Sequence, residues 1–268
     1  MPQTPPTLIA RYRNHGRAFY GVIDGEDFRR LDGAPWNGGV ATGEVDSRAD
    51  SGALAPVEPG KIVCVGLNYR AHIAESVSVV PGAAPPAEPL LFFKPPSAVI
   101  GPGEAIRYPK GVTRLDPEAE LGVVIGRRAR AVTLADALEH VAGLTCFNDV
   151  SARNYQKSDG QWARAKGFDT FAPIGPVVAC GLDPHDLTLE CRVNGEVRQH
   201  ARTSDMLFDV AFLVSFISHV MTLEPGDVIA TGTPAGIAPI VPGDRVAIEL
   251  SGIGVLENPV ESADGAGS

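Results

Sequence analysis

The sequence predicts an α+β, β-rich fold built on a mixed, rolled or barrel-like sheet. Three observations carry that reading. Short runs of apolar, β-branched residues recur along the chain, bounded by Gly, Pro, Asn and Asp, as strands are. Helical periodicity is confined to a few short segments. The two kinds of segment do not alternate in a βαβ rhythm and there is no internal repeat, which argues against a Rossmann fold or a TIM barrel. At 268 residues the chain is long enough for one large core with an appendage, or for two small domains.

Read in order, residues 7–31 form a small β unit. Leu8 to Tyr12 and Arg17 to Ile23 are strand-like, with Asn14, His15 and Gly16 as the turn between them. Residues 32–52, rich in Gly, Asp, Ser and Ala, read as a linker. The expected division is a small N-terminal β-containing domain and linker over 1–55, a main body over 56–260 and a disordered tail over 261–268. In the main body, Lys61 to Val65 is a short buried strand leading into a helix at about 70–77. Residues 80–89 hold four prolines and three alanines, so they form a long irregular loop, a candidate lid. Thr133 and Asp136 have capping-box spacing and predict a helix ending near Gly143. Leu144 to Phe147 is a strand leading to Asn148 and Asp149. Leu187 to Val193 and Glu196 to His200 flank Asn194-Gly195, a strong hairpin signal. Ser204 is placed to cap a helix over about 205–221, with Leu207, Val210, Leu213, Val214 and Ile217 on one face. Asp227 to Thr231, Arg245 to Leu250 and Ile253 to Val260 read as strands.

The net charge of −9 argues against nucleic acid or an anionic membrane as partner. An anionic substrate must therefore meet local positive charge. Cys64, Cys146, Cys180 and Cys191 form no CxxC pair and lie in or beside apolar runs. They read as reduced, buried cysteines of a cytoplasmic protein. The opening residues lack the apolar core of a signal peptide, and no run of about 18 apolar residues is present to span a membrane.

The chemistry begins with Glu118 and Glu120, in RLDPEAELGVVIG (114–126). On a strand, residues two apart point to the same side, roughly 7 Å apart. Two half-buried carboxylates on one side repel each other and lose hydration, and a hard divalent cation between them removes both penalties. Alone, the pair also fits an exposed, charged strand end. His72 and Glu75 are three apart on the short helix and share a face. A carboxylate beside an imidazole fixes its tautomer and raises its basicity, as a general base requires. The same spacing also suits a surface ion pair.

Several segments together resemble the fumarylacetoacetate hydrolase family: KIVCVGLNYRAHIAE (61–75), LFFKPP (91–96), the Glu118/Glu120 strand, FND (147–149), RAKGFDTF (164–171) and TGTPAG (231–236). The resemblance covers roughly residues 60–260. It implies a mixed β-sandwich roll, a bound Mg²⁺ or Mn²⁺, a small 2-oxo acid substrate and commonly a homodimer. By resemblance, Glu118, Glu120 and Asp149 are the metal ligands, an all-oxygen set suited to a hard ion. His72 and Glu75 become the water-activating dyad, and Lys166 faces developing enolate charge. Thr231, Gly232 and Thr233 match the loop that holds the substrate carboxylate. Arg153, Tyr155, Gln156 and Tyr69 are placed near the rest of the substrate. The implied reaction is metal-dependent hydrolysis of a C–C bond in 2,4-dioxo acids. Decarboxylation, isomerisation or tautomerisation at the same site is the alternative, and a non-catalytic binding protein is a further one, opposed by the intact set of acids, His72 and Lys166.

Overall fold

The computed structural model describes residues 5–75 and 84–263. The N-terminal segment supplies β1 (Thr7–Asn14), β2 (Arg17–Asp24), β3 (Asp27–Leu31), β4 (Ala41–Ser47) and β5 (Gly52–Leu54). The next stretch contributes β6 (Ile62–Gly66), α1 (Arg70–Glu75), β7 (Leu90–Lys94), β8 (Val99–Ile100), β9 (Ile106–Tyr108), β10 (Leu115–Asp116) and β11 (Ala119–Ile125). Then come β12 (Val141–Asn148), β13 (Ser151–Ala152), α2 (Arg153–Ser158), α3 (Ala163–Lys166) and β14 (Ala172–Cys180). The last part is β15 (Thr188–Val193), β16 (Glu196–Arg202), α4 (Val210–Val220), β17 (Val228–Ala230), β18 (Arg245–Leu250) and β19 (Gly254–Ser262).

The expected β-rich α+β fold is what these elements build. Among the described residues, twelve strands join one mixed sheet in the order β4-β3-β2-β1-β14-β12-β11-β17-β6-β7, with β5 beside β1 and β8 beside β14. Most pairings are antiparallel, but β17 runs parallel to β6 and β8 parallel to β14. A second, five-stranded sheet has the order β16-β15-β18-β19-β9, and it packs through β18 and β19 onto β12 and β14. Between the sheets lies a core that includes Leu121, Val123, Cys146, Leu189, Ile248 and Leu256; the other side of the large sheet buries Ile62, Val124, Phe147, Ile174 and Trp36. Every residue of β11 is therefore buried. A side chain such as Leu121 or Ile125, fully buried there, contributes about 1.5–3 kcal/mol. Central strands held on both sides make a stiff base for a site.

The β1–β2 turn is tight because His15 (φ 46°) and Gly16 (φ 78°) both take the left-handed conformation that matches strand twist. The Asn194-Gly195 hairpin forms between β15 and β16 as the sequence predicts, again with both φ angles positive.

Four expectations are corrected. Residues 32–52 are not a linker: they contain β4, paired with β3, and lead into β5, paired with β1. The helix expected over 133–143 shrinks to a 3₁₀ turn, Ala137–His140. Thr133 Oγ1 does bond Asp136 Oδ2 at 2.6 Å, but Val141 and Gly143 are taken by strand pairing with Ile125 and Val124. The long helix starts at Val210, capped by Asp209, whose carboxylate accepts from Phe212 N at 2.8 Å. Ser204 does not cap it, because Leu207 N and Phe208 N are held by Asn68 O and Oδ1 in a non-helical approach. Glu261 and Ser262, expected in the tail, extend β19 beside Arg107 and Tyr108; residues 264–268 lie outside the described residues. Of the candidate lid, 84–89 is irregular and 80–83 lies outside the described residues. No helix among the described residues is long and apolar enough to cross a membrane.

Candidate active site

Glu118 and Glu120 sit at the start of β11, on the same side of the strand. Asp149 follows the last residue of β12, and the register sets Ala119 opposite Asn148. Two bonds lock that corner: Asp149 N donates to Glu118 O at 2.9 Å, and Glu118 N donates to Asn148 Oδ1 at 3.0 Å. The three carboxylates are buried, and one oxygen of each lies within 4.8 Å of the others. They form a possible acidic metal site lining a cavity, together with His72, Gln156, Trp162, Lys166 and Thr233.

The charge around the trio is uneven. Lys166 Nζ bridges Glu118 Oε2 (2.8 Å) and Asp149 Oδ2 (2.6 Å). Lys94 Nζ donates to Asp149 Oδ1 at 2.5 Å and to Val150 O at 3.0 Å. Arg153 Nη2 donates to Glu118 Oε1 at 2.6 Å. Glu118 therefore stays well below the usual carboxylate range: burial opposes its charge, but Lys166 and Arg153 outweigh burial. Burial works against the Lys166 ammonium too, yet Asp149 and Glu118 hold its pKa above the usual lysine value. Burial pulls Lys94 below that value, with Asp149 working the other way. Glu120 makes no salt bridge among the described residues; it accepts only from Gly232 N, at 2.9 Å. Burial, then Asp149 and Glu118, push its pKa well up. A buried acid without a counter-charge, facing two others through oxygen donors alone, fits a hard divalent cation.

His72 is buried in the middle of α1, and its Nδ1 lies 3.2 Å from Oε1 of Glu75, the last residue of that helix. The same Glu75 oxygen accepts from Gly236 N at 2.9 Å. Burial raises the pKa of Glu75, but the bonds from His72 and the backbone prevail and hold it below its usual value. An ionised Glu75 keeps the proton on Nδ1 and leaves Nε2 as the basic nitrogen. Gly236 (φ 101°) is required at its position, since a Cβ there would stand 2.1 Å from Arg198 O.

The TGTPAG loop divides its duties. Thr231 Oγ1 donates to Leu121 O at 3.0 Å and Gly232 N is committed to Glu120, so both brace β11. Thr233 lines the cavity, its hydroxyl donating to Ala119 O and accepting from Gln199 Nε2. Arg153 is spent within the protein: besides Glu118 it donates to Asp116 Oδ2 (2.8 Å) and Gln156 Oε1 (2.8 Å). Tyr155 packs its ring beside Phe168 and donates to Gly111 O at 3.3 Å. Tyr69 is buried outside the cavity lining with its hydroxyl unpaired among the described residues; burial, then Glu120, raise its pKa. Sequence reasoning assigned nothing to Lys94, Asp116, Gln199 or Trp162. For Lys94 the signal is a lone lysine closing the apolar run Leu90–Lys94.

A β-rich roll in which β11 and the end of β12 bring three buried carboxylates together with Lys166 of α3 and His72 of α1, itself paired with Glu75, has the parts of a possible metal site beside an acid–base pair. Residues 61–261 match the fumarylacetoacetate (FAA) hydrolase C-terminal family, and residues 8–56 match a family described as Rv2993c-like, N-terminal. The chain belongs to the fumarylacetoacetate hydrolase family. It is 47% identical over 262 residues to Protein Rv2993c of Mycobacterium tuberculosis, covering 94% of this chain and 97% of that one. It is 42% identical over 226 residues to the mitochondrial oxaloacetate tautomerase FAHD2A of Bos taurus, covering 80% and 70%. Among solved structures, a 2-hydroxyhepta-2,4-diene-1,7-dioate isomerase from Mycobacterium marinum superposes with TM-score 0.88 at 44% identity, covering 96% and 99%. Maleylpyruvate hydrolase from Sphingobium sp. SYK-6, in complex with manganese(II) and pyruvate, superposes with TM-score 0.77 at 28% identity, covering 95% and 99%.

Proposed function

We propose that this protein is a divalent-metal-dependent enzyme that moves a proton at the carbon beside the keto group of a 2-oxo acid, as an isomerase or tautomerase. The observation that carries the reading is the convergence of Glu118, Glu120, Asp149, His72 and Lys166 on one cavity. Glu118, Glu120 and Asp149 would hold Mg²⁺ or Mn²⁺; when bound, the ion supplies Lewis-acid polarisation of the 2-oxo acid oxygens. His72, with Nδ1 fixed by Glu75, takes the proton from C3 on Nε2. The Lys166 ammonium faces the oxygen on which negative charge develops. Return of the proton to that oxygen gives the enol, and return to a different carbon of a conjugated chain gives the isomer.

A second reading is hydrolysis of a C–C bond in a 2,4-dioxo acid, supported by the similarity to maleylpyruvate hydrolase. There His72 takes a proton from water, the hydroxide adds to the distal carbonyl, and the C3–C4 bond breaks. A carboxylic acid and an enolate leave, and the enolate is protonated at C3. The family resemblance is what supports a homodimeric assembly, which light scattering on the purified protein tests.

The deciding assay follows the enol absorbance of oxaloacetate and of a 2-hydroxydienedioate with Mg²⁺ or Mn²⁺ present, alongside product analysis. The expected result is interconversion without cleavage, reduced by about 10²–10⁴ in His72→Ala, the usual worth of a general base. Two acids released from an acylpyruvate by the wild type would move the assignment to the hydrolase. An undiminished His72→Ala rate would remove the base.

A further inference from the structure

The five-stranded sheet touches the site through its edge strand, β16. Of the seven residues of β16, Gln199 alone is buried. Glutamine is mostly left exposed, so a buried one on an otherwise exposed strand calls for a reason. The strand is also interrupted at this point. Gln199 pairs with Cys191 of β15, but Arg192 pairs with Val197, so Arg198 is an extra residue in a bulge. A bulge beside a site bends its strand and re-aims a side chain. Here Arg198 O lies against Gly236, and the Gln199 amide reaches both β11 and the TGTPAG loop.

The amide fills a gap in the large sheet. β17 pairs with β11 only over residues 122–124. At the end of β11 that bears Glu118 and Glu120, no strand lies on that side among the described residues. Side chains take the strand's place. Ala119 N donates to Gln199 Oε1 at 2.9 Å, and Ala119 O accepts from Thr233 Oγ1 at 2.9 Å. A glutamine amide offers the acceptor and the donor of a peptide group. Gln199 Nε2 donates to Thr233 Oγ1 and to Pro234 O, each at 2.8 Å. The directions are fixed, because Ala119 N can only donate and Pro234 O can only accept. The bonds therefore close a ring from Ala119 N through Gln199 and Thr233 back to Ala119 O. Two residues beyond Pro234, Gly236 N is the donor that braces Glu75.

We infer that Gln199 is a positioning residue for the metal centre. It acts through Ala119 on the spacing of Glu118 and Glu120, and through Thr233 and Pro234 on the loop that braces Glu75. The inference rests on the reading that Glu118, Glu120 and Asp149 take the ion. Without the amide, Ala119 N is a buried donor lacking a partner, midway between two ligands. The strand end must shift to satisfy it, and the two carboxylates shift with the strand.

The test is a Mn²⁺ titration of the full-length protein, followed by electron paramagnetic resonance. The zero-field splitting of the bound ion reports the symmetry of its ligands, and no turnover is needed. Gln199→Met keeps the side chain's length and removes both hydrogen-bonding groups. It should weaken Mn²⁺ binding by about 10–100-fold, the usual worth of a group that orients a metal ligand. It should also change the spectrum of the ion that still binds. Thr233→Val opens the same ring and should move both readouts in the same direction, while Thr233→Ser should restore them. This pair carries the test if Gln199→Met does not fold. Asp46→Asn, which weakens the fold at β4, controls for lost stability and should leave affinity and spectrum unchanged. Wild-type affinity and spectrum in Gln199→Met, or in Thr233→Val in its place, overturn the inference. Equal changes in Asp46→Asn overturn it too, since Gln199 would then serve packing alone. A wild type that binds no Mn²⁺ overturns the metal reading and the inference with it.

Discussion

Glu120 is the acid of the trio whose charge the protein leaves uncompensated, and that gives it a testable signature apart from catalysis. Glu118 and Asp149 are neutralised by Lys166, Lys94 and Arg153, whereas Glu120 has one backbone N–H. Its pKa is raised by burial and by its two acidic neighbours. A carboxyl whose folded pKa exceeds its unfolded one favours the folded state at low pH, and that contribution is lost as pH rises through the folded value. At neutral pH without metal, Glu120 therefore costs stability. Glu120→Gln should raise the unfolding free energy of the metal-free protein, by about 1–3 kcal/mol, because it keeps an acceptor for Gly232 and removes a buried charge. The same variant should lose Mn²⁺ binding in a calorimetric titration. A metal-free variant less stable than wild type, or one that binds Mn²⁺ as tightly, contradicts this account. At this scale the sequence shows the acids well. The two-residue period puts Glu118 and Glu120 on one side whatever the tertiary structure. It shows the cations poorly. Lys94 and Arg153 owe their roles to Asp149 and Glu118, which approach from other strands, and no local pattern encodes that approach.

The element that sequence reading most clearly missed is β4. Its composition, ATGEVDS, resembles a loop because its inward residue is an acid. Asp46 is buried and accepts from Tyr12 Oη (2.6 Å), Asn14 Nδ2 (2.8 Å) and Arg30 Nε and Nη2 (2.8 and 2.6 Å). It ties β4 to β1 and β3 by charge where the other strands use apolar contacts. The bonds from Arg30 come first in lowering its pKa, from 3.8 to about 2, against the effect of burial. A depressed carboxyl contributes stability that is complete above its unfolded value and is lost as pH falls through its folded one. Asp46→Asn should therefore be destabilised relative to wild type, by about 1–3 kcal/mol at neutral pH, because a hydrogen-bonded charge is removed from buried partners. The gap should stay constant down to roughly pH 4 and close between about 4 and 2. Denaturant unfolding of both proteins across that range measures it. A gap that does not vary with pH would show that the carboxylate's charge is not what β4 depends on. The helix expected over 133–143 failed for a related reason. The Thr133–Asp136 bond forms, but strand pairing of Val141 with Ile125 decides the next residues.

Over the whole molecule, the β-rich class and the family motifs are readable in the sequence, whereas the order of strands in the sheet and the way the N-terminal segment joins the rest are not. Composition suggests an appendage over residues 1–55 that packs on the main body. In the structure β1 continues the large sheet, with Thr7, Leu8 and Ile9 opposite Cys180, Ala179 and Val178 of β14. Ile9, Leu31 and Trp36 share a core with Ile62, Phe147 and Ile174. Removing one large buried side chain costs about 2–5 kcal/mol, and the net stability of a domain is about 5–15 kcal/mol. A protein starting at Pro56 therefore loses a large fraction of its stability and uncovers the edge of β14, a template for association. Its unfolding midpoint should fall well below that of the full chain, and it should aggregate as concentration rises. The metal site should fare differently. Lys94, Glu118, Glu120, Asp149, Arg153 and Lys166 all lie between residues 94 and 166; β11 pairs with β12, α2 packs on α3, and α3 packs on β7. Molecules of the truncated protein that remain folded should then take up Mn²⁺ with the affinity of the full chain. Thermal unfolding and Mn²⁺ titration on the same preparation separate the two claims. A truncated protein as stable as the full chain would mean that β1 adds nothing to the sheet, and a stable one that takes up no Mn²⁺ would mean that the N-terminal segment shapes the site.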